Sequence, residues 1–126
     1  MNDNYGLLLC DDLLFTSRIG GEAKALGLTL RTVKTAADLL RISMPAPPRC
    51  VIVNLHVPGL SIDELVRELS KLEPKPIIVG YGSHVDTATL KKARDAGCDL
   101  VWPRSKFVEE LAASLPLWFK SAEKAS

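Results

Sequence analysis

The feature that most constrains this chain is a fivefold alternation of short apolar extended runs with segments of helical period. Strands that alternate with helices are joined by crossovers, so the strands run parallel and the helices cover both faces of one sheet. The extended runs are Tyr5 to Cys10, Leu28 to Val33, Cys50 to Asn54, Pro76 to Gly80 and Asp99 to Trp102. Pro103 follows the last of them, which suits an edge strand, because an edge has no ladder donor to lose there.

Between these runs the apolar spacing predicts helices. Leu13 to Leu26 places Phe15, Ile19, Ala23 and Leu26 on one face and stops at Gly27, a residue free to take positive φ. Gly20 and Gly21 weaken that helix by about 1 kcal/mol each relative to alanine. A short helix spans Ala36 to Ile42, and Met44-Pro45-Ala46-Pro47-Pro48 then forms a stiff surface connection. Ile62 to Leu72 repeats Ile62, Leu65, Val66, Leu69 and Leu72 at helical period behind Ser61, a candidate N-cap. The fourth helix runs from Asp86 to Ala96. The fifth, Lys106 to Lys120, buries Val108, Leu111, Ala112 and Leu115 and should bend at Pro116. Right-handed crossovers then give a flavodoxin-like (βα)5 three-layer α/β sandwich with a parallel sheet of order 2-1-3-4-5. Residues 1–120 form one domain, and 121–126 read as a tail or the start of a linker.

Composition narrows the function. A chain of 126 residues, 47% hydrophobic and 25% charged, holds one core. A net charge of +1 without a basic run argues against a nucleic-acid face, since such binding needs clustered Lys and Arg. No stretch approaches the roughly 20 apolar residues of a membrane helix, and no signal segment opens the chain. The expected location is the cytoplasm and the expected partner another protein. Cys10, Cys50 and Cys98 read as packed thiols. Cys10 and Cys50 stand at opposite ends of neighbouring strands, about five residues of about 3.3 Å apart, beyond the roughly 7 Å reach of a disulfide.

Ligands of open α/β sheets bind at the carboxyl ends of the strands. There the chain carries Asp11-Asp12, then Asn54-Leu55-His56-Val57-Pro58-Gly59, and later Ala93-Arg94-Asp95-Ala96-Gly97-Cys98-Asp99. Together these segments resemble the receiver (CheY-like) domains of two-component response regulators, over Tyr5 to about Phe119. In that family an acidic pair and an acceptor aspartate hold Mg²⁺ and take a phosphoryl group. The resemblance implies that Asn54 stands at the acceptor position and that Asp11 and Asp12 are the acidic pair.

The departures from the family gather in this pocket. The small hydroxyl expected after the fourth strand falls on Tyr81 or Gly82, with Ser83 as a fallback, and the loop is expected to hold one extra residue. The family lysine falls on Arg104 and the proline after it on Ser105. No cis bond is expected before Ser105, because outside proline that isomer costs about 2.5–4 kcal/mol. Val101 replaces the common aromatic switch residue, with Trp102 beside it. A carboxamide has no anionic oxygen, so Asn54 should not form an acyl phosphate. With a carboxylate gone, Mg²⁺ binding should be weak at most, confined to Asp11 and Asp12, and no cofactor is expected. Arg104 could replace the metal by pairing with Asp11 or Asp12 in a forked geometry.

Plainer roles stand beside these. Asp11 and Asp12 can cap the first helix, Asn54 can close its loop through hydrogen bonds, and Tyr81 can be packing with a wet hydroxyl. His56 and His84 can be surface residues, although His56 also lines the expected pocket with Tyr81, Gly82, Ser83 and Arg104. Asn54-Leu55-His56-Val57-Pro58-Gly59 also has the outline of the Asp-x-His-x-x-Gly motif of cobalamin-binding domains, but it follows the third strand and lacks the aspartate. The expected function is a non-enzymatic, atypical receiver, acting in signal transduction as a phosphorylation-independent protein-interaction module. The alternative is an active switch that binds a metal or small anion, or is modified at another residue. The resemblance places the partner surface, or a homodimer, on the fourth helix, fifth strand and fifth helix. Trp102, Trp118 and Phe119 are candidate anchors there, since adjacent aromatics should not both face one core.

Overall fold

A computed structural model describes residues 4–124, with side chains to residue 120. The elements alternate strictly: β1 (Gly6–Leu9), α1 (Leu13–Ala25), β2 (Leu30–Val33), α2 (Ala36–Ser43), β3 (Cys50–Asn54), α3 (Ile62–Leu69), β4 (Ile77–Gly82), α4 (Thr87–Ala96), β5 (Leu100–Pro103) and α5 (Arg104–Lys124). Every strand pairing is parallel and the sheet order is β2-β1-β3-β4-β5. This is the flavodoxin-like sandwich that the alternation anticipates. No described helix is long and apolar enough to cross a membrane.

Strand side chains point alternately to the two faces of a sheet, so each strand feeds two cores. Leu7, Leu9, Val51, Val53 and Ile78 face α2, α3 and α4, where they meet Leu39, Leu65, Leu69 and Leu90. Leu8, Cys10, Ile52, Val79 and Tyr81 face α1 and α5, where they meet Ile19, Ala23, Phe107, Leu111 and Leu115. Covered on both faces, β1 and β3 are buried along their whole length, which is why they read as continuous apolar runs.

Helix ends follow local chemistry. Oδ1 of Asp12 accepts the amides of Leu14 and Phe15, Thr35 caps α2 through the Asp38 amide, and Asp86 caps α4 through the Thr89 amide. Gly97 ends α4 in the left-handed region at φ 109°. Ser61 occupies the N-cap of α3 but makes no side-chain cap bond. Leu26, expected on the buried face of α1, is exposed just beyond that helix.

Larger corrections concern the last two strands and α5. β4 runs two residues past Gly80, so Tyr81 and Gly82 belong to the sheet rather than to the loop after it. α5 begins at Arg104 and continues to Lys124, into the segment read as a tail, while residues 125–126 lie outside the described range. It passes through Pro116, whose absent N–H leaves the Ala112 carbonyl unserved within the helix. Ala112, expected in the core, is exposed, so that carbonyl lies on the solvent side. Val108 is only half-buried, and Phe107 takes the core position.

Trp118 and Phe119 are both buried, at 5% and 3% exposure, which overturns the expectation that one of them faces outward. Consecutive helical residues diverge by about 100°, so each ring can lean about half that angle from the core direction. Trp118 packs on Phe107 at 6.3 Å and on half-buried Trp102 at 5.9 Å. Phe119 reaches the other way, into space left by a missing side chain: a Cβ on Gly6 would stand 2.9 Å from its Cζ. Leu117 is the residue left outside, 65% exposed.

The cysteines are free thiols, Cys10 and Cys50 buried and Cys98 half-buried. Cys50 pairs with Gly6 in the register, so Cys10, just past the far end of β1, lies beyond disulfide reach. Burial pushes the Cys50 thiol up to about 12 and the Cys98 thiol to about 11.

Candidate functional site

Parity and register bring the site together. Leu9 pairs with Val53, Asn54 with Tyr81, and Tyr81 with Trp102. Cys10, Asn54, Tyr81 and Trp102 therefore form one row across the carboxyl edge of the sheet. Period-two alternation turns this row toward α1 and α5.

Asn54 is 5% exposed and both ends of its amide are engaged. Its Oδ1 accepts the His56 amide at 3.0 Å, closing the turn after β3. Its Nδ2 donates to Cys10 Sγ at 3.8 Å. A carboxylate could accept the first bond but not donate the second, so the amide matches this environment as it stands.

Of the two roles open to Tyr81, lining the pocket or packing with a wet hydroxyl, packing holds: the ring is fully buried, stacked on Phe15 at 5.3 Å and on Phe107 at 4.5 Å, but the hydroxyl is not wet. The hydroxyl donates to Cys10 Sγ at 3.3 Å. Burial pushes that hydroxyl far above the ordinary tyrosine range, the bond to Cys10 adds to the rise, and the charge of Arg104 offsets part of it. Cys10, read only as packing, is thus the acceptor that joins Asn54 to Tyr81. The two-residue extension of β4 was the missing signal, since it fixes which way Tyr81 points.

The loops above the row are tied by His56. Its Nε2 accepts the Ser83 amide at 2.9 Å, and its Nδ1 lies 3.9 Å from Asp86 Oδ2. Gly82 makes room for the ring, since a Cβ there would stand 3.0 Å from Nε2. Bonds from the Thr89 hydroxyl and amide hold the Asp86 carboxyl below the usual carboxylate range, and nearby His56 adds to this. The Ser83 hydroxyl accepts the Val85 amide at 3.4 Å and so folds back on its own loop. His84 is exposed.

Asp11 and Asp12 are exposed, and Oδ1 of Asp12 is committed to the α1 amides. The forked pairing expected of Arg104 is absent: no ion pair joins it to Asp11 or Asp12 among the described residues. Its guanidinium lies over the Phe15 ring, 5.5 Å from the centroid. The half-buried Phe15 ring offers Arg104 a π face close by, and the Asp12 cap holds that carboxylate on the helix end. Arg104, Phe15, Tyr81 and Phe107 thereby form one column. The peptide before Ser105 is not cis.

These residues do not fit the Mg²⁺ that the fold suggests. No group of three or more His, Cys, Asp or Glu side chains among the described residues could hold a metal. Oδ1 of Asn54 is already used by the His56 amide, and a hard divalent cation favours carboxylates. Beside the row a cleft of about 540 Å³ opens between α1 and the start of α5, lined by Asp12, Leu14, Phe15, Arg18 and Arg104.

Fold and site together define a receiver-type α/β domain with a buried amide, Asn54, at the carboxyl end of β3. No protein-family model matches the chain, and no curated protein does. Solved structures match over nearly its whole length. One is a CheY-like response regulator receiver domain protein from Methanospirillum hungatei JF-1, with TM-score 0.81 at 16% identity over 97% of this chain and 98% of that one. A second is the signal receiver domain of a putative Luxo repressor protein from Vibrio parahaemolyticus, with TM-score 0.79 at 16% identity over 96% and 93%. The receiver domain of NtrX from Brucella abortus gives TM-score 0.76 at 20% identity over 92% and 98%. The chain therefore has the receiver-domain fold of two-component response regulators.

Proposed function

We propose that this chain is an atypical receiver that acts in a cytoplasmic signalling pathway as a protein-interaction module, independently of phosphorylation and without enzymatic activity. The observation that carries this is Asn54, a buried amide at the acceptor position with its oxygen and nitrogen both engaged. Phosphoryl transfer requires an in-line nucleophilic oxygen and a cation to neutralise the transferring group. The amide supplies no anionic oxygen, and the acidic pair is exposed and partly committed to a helix cap. His56 further ties the β3–α3 turn to the β4–α4 loop, which favours a single arrangement of the rim. The face of α4, β5 and α5 is a weaker candidate for the partner than the sequence suggested, because Trp118 and Phe119 are used inside the core.

Incubation with acetyl phosphate and Mg²⁺ followed by intact-mass measurement tests the proposal. Wild-type protein is expected to keep its mass, and an added phosphoryl group on any residue would refute phosphorylation independence. Asn54→Asp is expected to be poorly modified, since the new carboxylate cannot donate to Cys10 and Arg104 is drawn off over Phe15.

A further inference from the structure

The bond between His56 and the Ser83 amide rests on a lone pair that a proton can take away. Nε2 of His56 accepts that amide at 2.9 Å, so Nε2 is bare and the ring proton sits on Nδ1, the nitrogen 3.9 Å from Asp86 Oδ2. A second proton makes both ring nitrogens donors, and the new Nε2–H then meets the Ser83 N–H head on. The other backbone bonds of this loop close on the loop itself: the Val85 amide donates to the Ser83 hydroxyl and the Asp86 amide to the Ser83 carbonyl. The His56 bond is therefore what carries residues 83–86 across to the β3–α3 turn, where Asn54 Oδ1 holds the His56 amide in place. At 33% exposure the His56 side chain is open to solvent protons. Asp86, at the start of α4, is the charged side chain within ion-pair distance of the ring among the described residues. Gly82 of β4 and Ser83 bring no charge, His84 beside them is exposed, and residues 54–60 hold no other titratable group. Bonds from Thr89 hold the Asp86 carboxyl below its usual range, so it is still ionised when an imidazole takes up a proton.

We propose that His56 is a proton-operated latch between the β3–α3 turn and the β4–α4 loop. Uncharged, it fastens the loop through the Ser83 amide; protonated, it lets that amide go and pairs with the Asp86 carboxylate. The proton comes from solvent and adds to the Nε2 lone pair, the Ser83 hydrogen bond is the interaction given up, and no bond between heavy atoms changes. Histidine is the side chain whose charge ordinarily changes in the physiological range, and a local charge change of this kind biases an element between two arrangements. Acidification therefore loosens Ser83 through Val85, a segment that carries the exposed His84 and Val85. The inference goes beyond the reading of the chain as a binding module and does not depend on it, since it gives the rim an input that needs no phosphoryl group.

The test is a pH titration of the full chain, isotope-labelled in its histidine rings and backbone amides, followed by nuclear magnetic resonance. Above the transition the His56 ring nitrogens are expected to report a proton on Nδ1 and a bare Nε2. Through the transition the Ser83 amide should move with the same midpoint as those ring nitrogens, and its exchange with water, corrected for pH, should quicken about fivefold as one hydrogen bond is lost. His84→Gln, a change at the exposed neighbour, should leave both the midpoint and the movement as they are. In that background His56→Gln, whose side-chain oxygen accepts at any pH, should hold the Ser83 amide still across the range, whereas His56→Ala should leave it in the released position throughout. A His56 ring with its proton on Nε2 above the transition, a Ser83 amide that stays in place while the ring titrates, or one that still titrates in His56→Gln would each overturn the proposal. The first two readings need only the wild-type protein, so they decide the matter whether or not a variant folds.

Discussion

Replacing Tyr81 with alanine should cost this protein about 5 kcal/mol, and the figure follows from where the ring sits. Truncating a buried large aromatic costs about 3–5 kcal/mol. Tyr81 belongs at the top of that range because it is wholly enclosed and stacked on both sides, on Phe15 and on Phe107. Such pairs contribute about 0.5–1.5 kcal/mol beyond the area they bury. A domain of this kind has about 5–15 kcal/mol of stability in all, so the variant should be marginal or unfolded. Tyr81→Phe keeps both stacks and loses only the hydroxyl bond to Cys10, costing about 1 kcal/mol. Urea unfolding followed by the fluorescence of Trp102 and Trp118 measures both, with a lowered midpoint and an unchanged m-value. If Tyr81→Ala cost under about 1 kcal/mol, as exposed positions commonly do, the ring would not be a core element and the row at the sheet edge would be misassigned. A Phe variant as unstable as the Ala variant would place the stabilisation in the hydroxyl instead.

Three further outcomes are expected. Trp118→Ala should destabilise by about 3–5 kcal/mol while its exposed neighbour Leu117→Ala stays within about 0.5 kcal/mol, a contrast that thermal unfolding resolves. Gly82→Ala should push the His56 ring off the Ser83 amide, so that Gly82→Ala and His56→Ala couple by about 1 kcal/mol in a double-mutant cycle; strictly additive effects would count against the contact. The tyrosines, Tyr5 and Tyr81, should each ionise at higher pH in the folded protein than in the urea-unfolded chain, because burial raises both hydroxyls. Since folded values raised above unfolded ones favour folding while the groups are protonated, that stability is complete below about pH 10 and is lost as the pH rises further. Tyrosinate absorbance that rises at the same pH in the folded and the unfolded protein would contradict this.

The fold was legible because the signals for it agree: apolar runs that β1 and β3 bury on both faces, helical spacing between them, and glycines such as Gly97 where a helix must end in positive φ. What escaped was direction. Whether Tyr81 points into the core depends on β4 continuing two residues beyond Gly80, and Gly82 there reads as a loop signal until the His56 ring is seen to occupy its missing side-chain space. Phe119 buries only because Gly6, distant in sequence, leaves it room. Arg104 lies over Phe15 rather than on a carboxylate because Asp12 is held at the start of α1. Each of these depends on a contact between residues far apart in the chain, which local spacing does not encode.

The idea that the acceptor position is silent is tested most directly by comparing backbone amide spectra of wild-type protein before and after Mg²⁺ with beryllofluoride, a phosphoryl mimic that needs a carboxylate to hold it. The resonances of Asn54 through Val57 and of Gly82 through Asp86 are expected to stay in place. Displacement of those same resonances would show a site that still engages metal and phosphoryl group, and the assignment of a phosphorylation-independent module would fall.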